Sequence, residues 1–88
     1  MKKFNDLKFE QSLYPTRGIG ARMKFDNGWG ISVIQNEFSY GGWEGLYEIA
    51  VLDSKEEISY ESGLTEDVVG WLDEEGVTHW MGKIQNLK

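Results

Sequence analysis

Trp29-Gly30-Ile31-Ser32-Val33-Ile34, then Phe38-Ser39-Tyr40-Gly41-Gly42-Trp43-Glu44-Gly45, then Leu46-Tyr47-Glu48-Ile49-Ala50-Val51-Leu52 follow one another with almost nothing between them. The outer runs are short, apolar and rich in β-branched residues, which predicts two strands. The middle run holds three aromatics and three glycines in eight residues. Large rings persist in a connection where they pack on something, so some of these three are expected to fold back into the core and Tyr40 or Trp43 to stay exposed as an anchor. The run therefore marks an antiparallel core and one surface where a partner can dock.

The pattern extends upstream. Ile19, Ala21, Met23 and Phe25 alternate with Gly20, Arg22 and Lys24, the period of a half-buried strand with a charged outer face. Asp26-Asn27-Gly28 separates this run from Trp29, and Asn-Gly favours a type I′ hairpin turn. Downstream, Asp53-Ser54-Lys55-Glu56 reads as a tight polar turn, and Glu57-Ile58-Ser59-Tyr60-Glu61 as a fourth, short strand. Pro15 pushes Tyr14 toward extended geometry and sets a boundary. Residues 1–17 are then an N-terminal arm, and Leu7 and Phe9 alternate as an added edge strand would. Residues 18–88 form one α+β domain.

After Gly63 the period changes. Thr65 as a cap, Glu66 and Asp67 in a first turn, and Val68, Val69, Trp71 and Leu72 as an apolar side predict a short helix. Asp73 then caps a longer one, in which Val77, Trp80, Met81, Ile84 and Leu87 form an amphipathic stripe. The expected architecture is a small antiparallel β-meander of three to five strands, with one short and one longer C-terminal helix packed on one face.

Composition narrows the function classes. At 88 residues the chain is one domain with a single thin core. It has no cysteine, which removes disulfides, thiolate metal sites and a cysteine nucleophile. That composition fits the cytoplasm better than an oxidising compartment. No apolar run is long enough to span a bilayer, and the basic start lacks the apolar stretch of a signal peptide, so no membrane partner is expected. The net charge of −6 is uneven: residues 1–34 sum to +3 and residues 35–88 to −9. The acidic portion repels nucleic acid and attracts basic surfaces, and it also serves solubility.

The blocks Gly28-Trp29-Gly30-Ile31-Ser32-Val33, Phe38-Ser39-Tyr40-Gly41-Gly42, Gly45 to Leu52 and Asp67-Val68-Val69-Gly70-Trp71-Leu72 resemble short uncharacterised proteins encoded by phages and prophages. The resemblance covers roughly residues 28 to 87 and contains no catalytic signature. It implies a setting, a small accessory protein made in the cytoplasm of an infected bacterium.

Catalytic constellations are sparse. His79 is the single histidine; it flanks Trp80 off the apolar stripe and reads as a partly exposed helix residue. One histidine without cysteine does not make a zinc site. Glu56-Glu57 sits at a turn, and Asp73, Glu74 and Glu75 suit a helix start, with a spacing unlike a calcium-binding loop. Gly18-Ile19-Gly20 and Gly28-Trp29-Gly30 lead into strands, so they do not build a phosphate cradle. Arg22, Lys24, Trp29 and Arg17 could stack and bind single strands of nucleic acid, but the total charge opposes it. No cofactor and no enzymatic activity are expected. The expectation is a protein that binds a basic, nucleic-acid-binding surface on a host protein, as an anti-CRISPR-like inhibitor of a defence system would. Its expected contacts are Tyr40 and Trp43 as anchors with Glu56, Glu57, Asp73, Glu74 and Glu75. The alternative is a structural or self-associating phage protein, for example a homodimer formed through an open sheet.

Overall fold

A computed structural model describes residues 1–13, 16–59, 61–63 and 68–87. Five strands, β1 (Glu10–Ser12), β2 (Gly18–Lys24), β3 (Gly30–Asn36), β4 (Tyr47–Leu52) and β5 (Val69–Leu72), precede one helix, α1 (Glu74–Gln85). The sheet is antiparallel throughout, in the order β1-β2-β3-β4-β5, so each strand pairs with its predecessor. The architecture is α+β, with the meander complete at five strands.

Register explains which face is buried. Ala21 stands opposite Val33, and Val33 opposite Ile49; Met23 stands opposite Ile31, and Ile31 opposite Val51. These two rows share one face, where Ile31, Val33, Ile49 and Val51 are almost fully buried. Val77, Met81 and Ile84, spaced i, i+4 and i+7 on α1, lie in the same core and are fully buried. Burying each such side chain contributes about 1.5–3 kcal/mol, which offsets the low helix propensity of Gly76 and Gly82. The opposite face carries Arg22, Lys24, Ser32, Ile34 and Glu48, with Ala50 and Leu52 buried along β4.

Both ends of α1 are tied by side chains. Asp73 caps the start, its Oδ1 accepting the Gly76 N–H at 2.7 Å. At the other end, Asn27 reaches from the β2–β3 hairpin. Its Nδ2 group donates to the Ile84 carbonyl at 2.8 Å and the Leu87 carbonyl at 3.0 Å, while its Oδ1 accepts the Trp29 N–H at 3.1 Å. The hairpin tip thus adds side-chain donors to one carbonyl of the last helical turn and to one just past it.

The N-terminal segment completes the core. A 3₁₀ turn at Phe4–Asp6 packs on α1, with the Phe4 N–H donating to Thr78 Oγ1 at 3.0 Å. Gln85 holds Lys2 by two bonds of 2.8 Å, one donated and one accepted. Leu7 is buried, and the rings of Phe4, Phe9 and Tyr47 lie 5.1–5.6 Å apart. Burial raises the Tyr47 phenol above its ordinary value, and the Glu74 carboxylate adds to the shift.

Four expectations change. The run Val69–Leu72 is strand β5, not part of a helix, so α1 is the one α-helix among the described residues; the proposed caps Thr65, Glu66 and Asp67 lie outside them. A five-residue apolar run fits either period, and pairing with β4 decides it. The described residues of 57–61 form no strand: Ile58 makes an isolated bridge with Leu52, and Tyr60 lies outside the described residues. The β2–β3 hairpin forms with another turn. The Gly28 N–H donates to the Phe25 carbonyl and Gly28 alone has positive φ (93°), giving a three-residue loop with a bulge instead of type I′. The edge strand falls at Glu10–Ser12, just past the Leu7/Phe9 alternation, whose side chains join the core. No helix among the described residues is long and apolar enough to cross a membrane.

Two measurements check this packing. Asn27→Asp keeps the acceptor for Trp29 but loses both donors and puts a negative charge at a helix C-terminus. A loss of about 1–3 kcal/mol in urea unfolding is expected; unchanged stability would contradict the tie. For Tyr47, a phenol that holds its proton more tightly when folded gives stability that is complete below the unfolded value of about 10 and is lost as pH rises through the higher folded value. The stability difference between the parent and Tyr47→Phe should therefore be flat from about pH 7 to 9 and shift against the parent above about pH 10.

Candidate functional site

The connection between β3 and β4 is held from within. Asn36 begins it: its Oδ1 accepts the Phe38 and Ser39 N–H groups, both at 2.8 Å, while Ser39 Oγ donates to the Asn36 carbonyl and accepts the Asn36 N–H. Ser39 is the one buried polar residue among those described, and this exchange satisfies it. A 3₁₀ turn at Gly42–Glu44 follows, bracketed by Gly41 and Gly45 in left-handed conformation. Polar groups fold inward, and the rings are left outside.

Phe38 is 78% exposed, Tyr40 53% and Trp43 85%. The fourth ring comes from β5. Trp71 is 58% exposed and stacks on Tyr40 with ring centroids 5.1 Å apart and planes tilted by 30°. Its backbone N–H donates to the Tyr40 carbonyl at 3.1 Å, and the Tyr40 N–H donates to Glu48 Oε1 at 3.0 Å. Trp71 sits at φ 54°, where the pairing of β4 with β5 shifts register between Tyr47 and Ile49. A bulky residue held in this left-handed region costs about 1–3 kcal/mol and needs support from its surroundings. Here two glycines supply the closeness. A Cβ on Gly70 would collide with the Tyr40 side chain, and one on Gly41 would press on Leu46 and Trp71.

Trp43 forms a separate feature. It borders a shallow depression of about 180 Å3 with Arg17, Gln35, Asn36, Glu37 and Gly42. The two anchors named from sequence, Tyr40 and Trp43, are thus both exposed and on one connection.

The carboxylates fall in different places. Glu56 is a turn residue at φ 63° whose carbonyl accepts from Arg22 Nη1 at 3.1 Å, on the sheet face away from α1. Glu57 is its exposed neighbour, and its N–H bonds to Asp53 Oδ1. Asp73 is engaged as the helix cap, whereas Glu74 and Glu75 flank Lys3, Phe4, Asn5 and Thr78 at the start of α1. The sheet separates Glu56 and Glu57 from Glu74 and Glu75, so the two groups do not form one surface. Glu48 and Trp71, which the sequence did not single out, stand closer to Tyr40 than any of them. An aromatic beside a glycine in Gly70-Trp71 was the available signal for Trp71. Glu48, an acid within an apolar strand opposite Ile34, was the signal for the other.

A concavity of about 420 Å3 lies on the face away from α1, between Lys8, Glu10, Gly20, Arg22, Ser32 and Ile34. It places a serine near cations and one carboxylate, and no hydrogen bond joins Ser32 to a base among the described residues. His79 is exposed on α1. No group of three or more acidic or imidazole side chains among the described residues is arranged to hold a metal ion. No protein-family model, curated protein or solved structure matches this chain.

Gly70→Ala tests how the pair is built. The added methyl should push Tyr40 off Trp71 and cost about 1–3 kcal/mol in urea unfolding. The NMR cross-peaks between the Tyr40 and Trp71 rings should vanish with it. Full stability together with intact cross-peaks would show that the close approach does not hold the rings.

Proposed function

We propose that this chain is a non-enzymatic binding protein that occupies a basic surface on another protein through its aromatic end. The observation that carries the reading is the exposure of Phe38, Tyr40, Trp43 and Trp71 on one connection and its neighbouring strand. Exposed aromatics on a held backbone lose little conformational freedom on binding, and tryptophan and tyrosine dominate interface hot spots. Charge supports the choice of partner: Glu37, Glu44 and Glu48 stand on the connection or are bonded to it, and they outnumber Arg17, which lines the depression beside Trp43. Such a surface steers toward basic partners and away from phosphate backbones.

The setting comes from the resemblance to phage and prophage proteins. A small acidic protein in an infected bacterium would serve by covering the nucleic-acid-binding surface of a host protein, which is how an anti-CRISPR-like inhibitor of a defence system acts. Self-association is the second reading. It is less favoured, because both edge strands are short: β1 is three polar, exposed residues and β5 is four residues broken by the irregularity at Trp71, forms in which sheets avoid pairing with one another.

Affinity capture from a bacterial lysate followed by binding to the purified partner tests this. A basic host protein should be recovered at low salt and largely released by about 0.5 M salt, where the screening length falls to a few ångströms. Trp43→Ala should weaken the purified complex at least about tenfold, the loss of a little over 1 kcal/mol expected of an anchor. Binding indifferent to both salt and Trp43, or a tight homodimer with no host partner, would contradict the proposal.

A further inference from the structure

We propose that Tyr40, Trp71 and Glu48 together form a receptor for an arginine side chain of the partner. This rests on the docking function proposed above and names the group that is recognised. Three features converge on one spot. The stacked Tyr40 and Trp71 rings offer more than half of their surface to solvent. Glu48 adjoins the Tyr40 backbone, its Oε1 accepting the Tyr40 N–H, and its second carboxylate oxygen has no partner among the described residues and is left to take a further N–H. The rings themselves are fixed by the Trp71 N–H bond to the Tyr40 carbonyl and by the close approach of Gly70.

Each feature selects the same chemistry. An aromatic face attracts a cation, and a carboxylate at its edge takes a charge-assisted hydrogen bond. A planar guanidinium can do both at once: it stacks on the ring and still directs N–H groups sideways in its plane. A lysine ammonium is compact and strongly hydrated, and its donors do not lie in a plane, so it fits one contact or the other. A nucleobase would also stack, but its phosphates would meet Glu48 and the acidic loop residues Glu37 and Glu44. Among the described residues no cation of the chain pairs with Glu48 or lies over either of the two rings. Arg22 donates to the Glu56 carbonyl, and Lys8 and Arg22 line the concavity beyond Ile34, on the far side of β3 from β4.

The test follows the four tryptophan indole N–H resonances of the full chain by NMR. The probes are an uncharged-ended nonapeptide with three arginines, its lysine counterpart and a single-stranded oligothymidine. The arginine peptide should shift the Trp71 indole and leave Trp29 and Trp80 unmoved. The lysine peptide should bind at least about tenfold more weakly. Glu48→Gln, which keeps an acceptor for Tyr40, should weaken the arginine peptide about tenfold without changing the unfolding midpoint. An unmoved Trp71, equal binding of the lysine peptide, unchanged affinity in Glu48→Gln, or a Trp71 shift caused by oligothymidine would each overturn the proposal. If the purified partner still depends on Trp43 while the arginine peptide leaves Trp71 unmoved, the docking function stands and the arginine receptor falls.

Discussion

One helix covering one face of the sheet is the constraint from which the rest follows. A 12-residue helix is about 18 Å long, and five strands at about 4.8 Å spacing make a sheet about 19 Å wide. Val77, Met81 and Ile84 seal the rows led by Val33 and Ile31, with Phe4, Leu7 and Phe9 filling the flank. The chain has no second α-helix among the described residues for the other face. That face keeps its charged and polar residues, and the β3–β4 connection is free to turn its rings outward.

The exposed rings are built and held, not left over. Asn36 and Ser39 satisfy each other's backbone inside the connection, and the Trp71–Tyr40 backbone bond ties β5 to it. Trp71 adopts a conformation that a tryptophan takes only under constraint. A fold that merely tolerated surface aromatics would let these side chains relax. Preorganisation of this kind lowers the entropy lost on docking, which is where small interfaces gain affinity.

Much of this was legible in the sequence, for identifiable reasons. The β2–β3 hairpin is written in partial alternation around Asn27-Gly28, and α1 in the spacing of Val77, Met81 and Ile84 behind an Asp73 cap. β5 was not legible, because Val68-Val69-Gly70-Trp71-Leu72 is too short to display a period and the acids before it imitate a helix start. Asn27 shows a related limit: its preference for turns is local, but its two bonds to the C-terminal end of α1 and the residues just past it span more than fifty residues. An exposed ring at Tyr40 or Trp43 could be anticipated from aromatics set among glycines, but not that Phe38, Tyr40 and Trp43 would all be exposed with none folded back into the core. Their company could not, since Trp71 and Glu48 reach Tyr40 only through strand pairing. Runs of acids report a helix cap or a turn, and say nothing about which side of a sheet they occupy.

Amide hydrogen exchange at Trp71 tests most directly whether the aromatic end is a fixed display. Trp71 lies in an edge strand and most of its ring meets solvent, yet its N–H is engaged by the Tyr40 carbonyl. Protection comparable to amides of the paired strand β4 is the expected result. Exchange at the rate of an unstructured peptide would mean that the rings are not held, and the proposed docking surface would not exist.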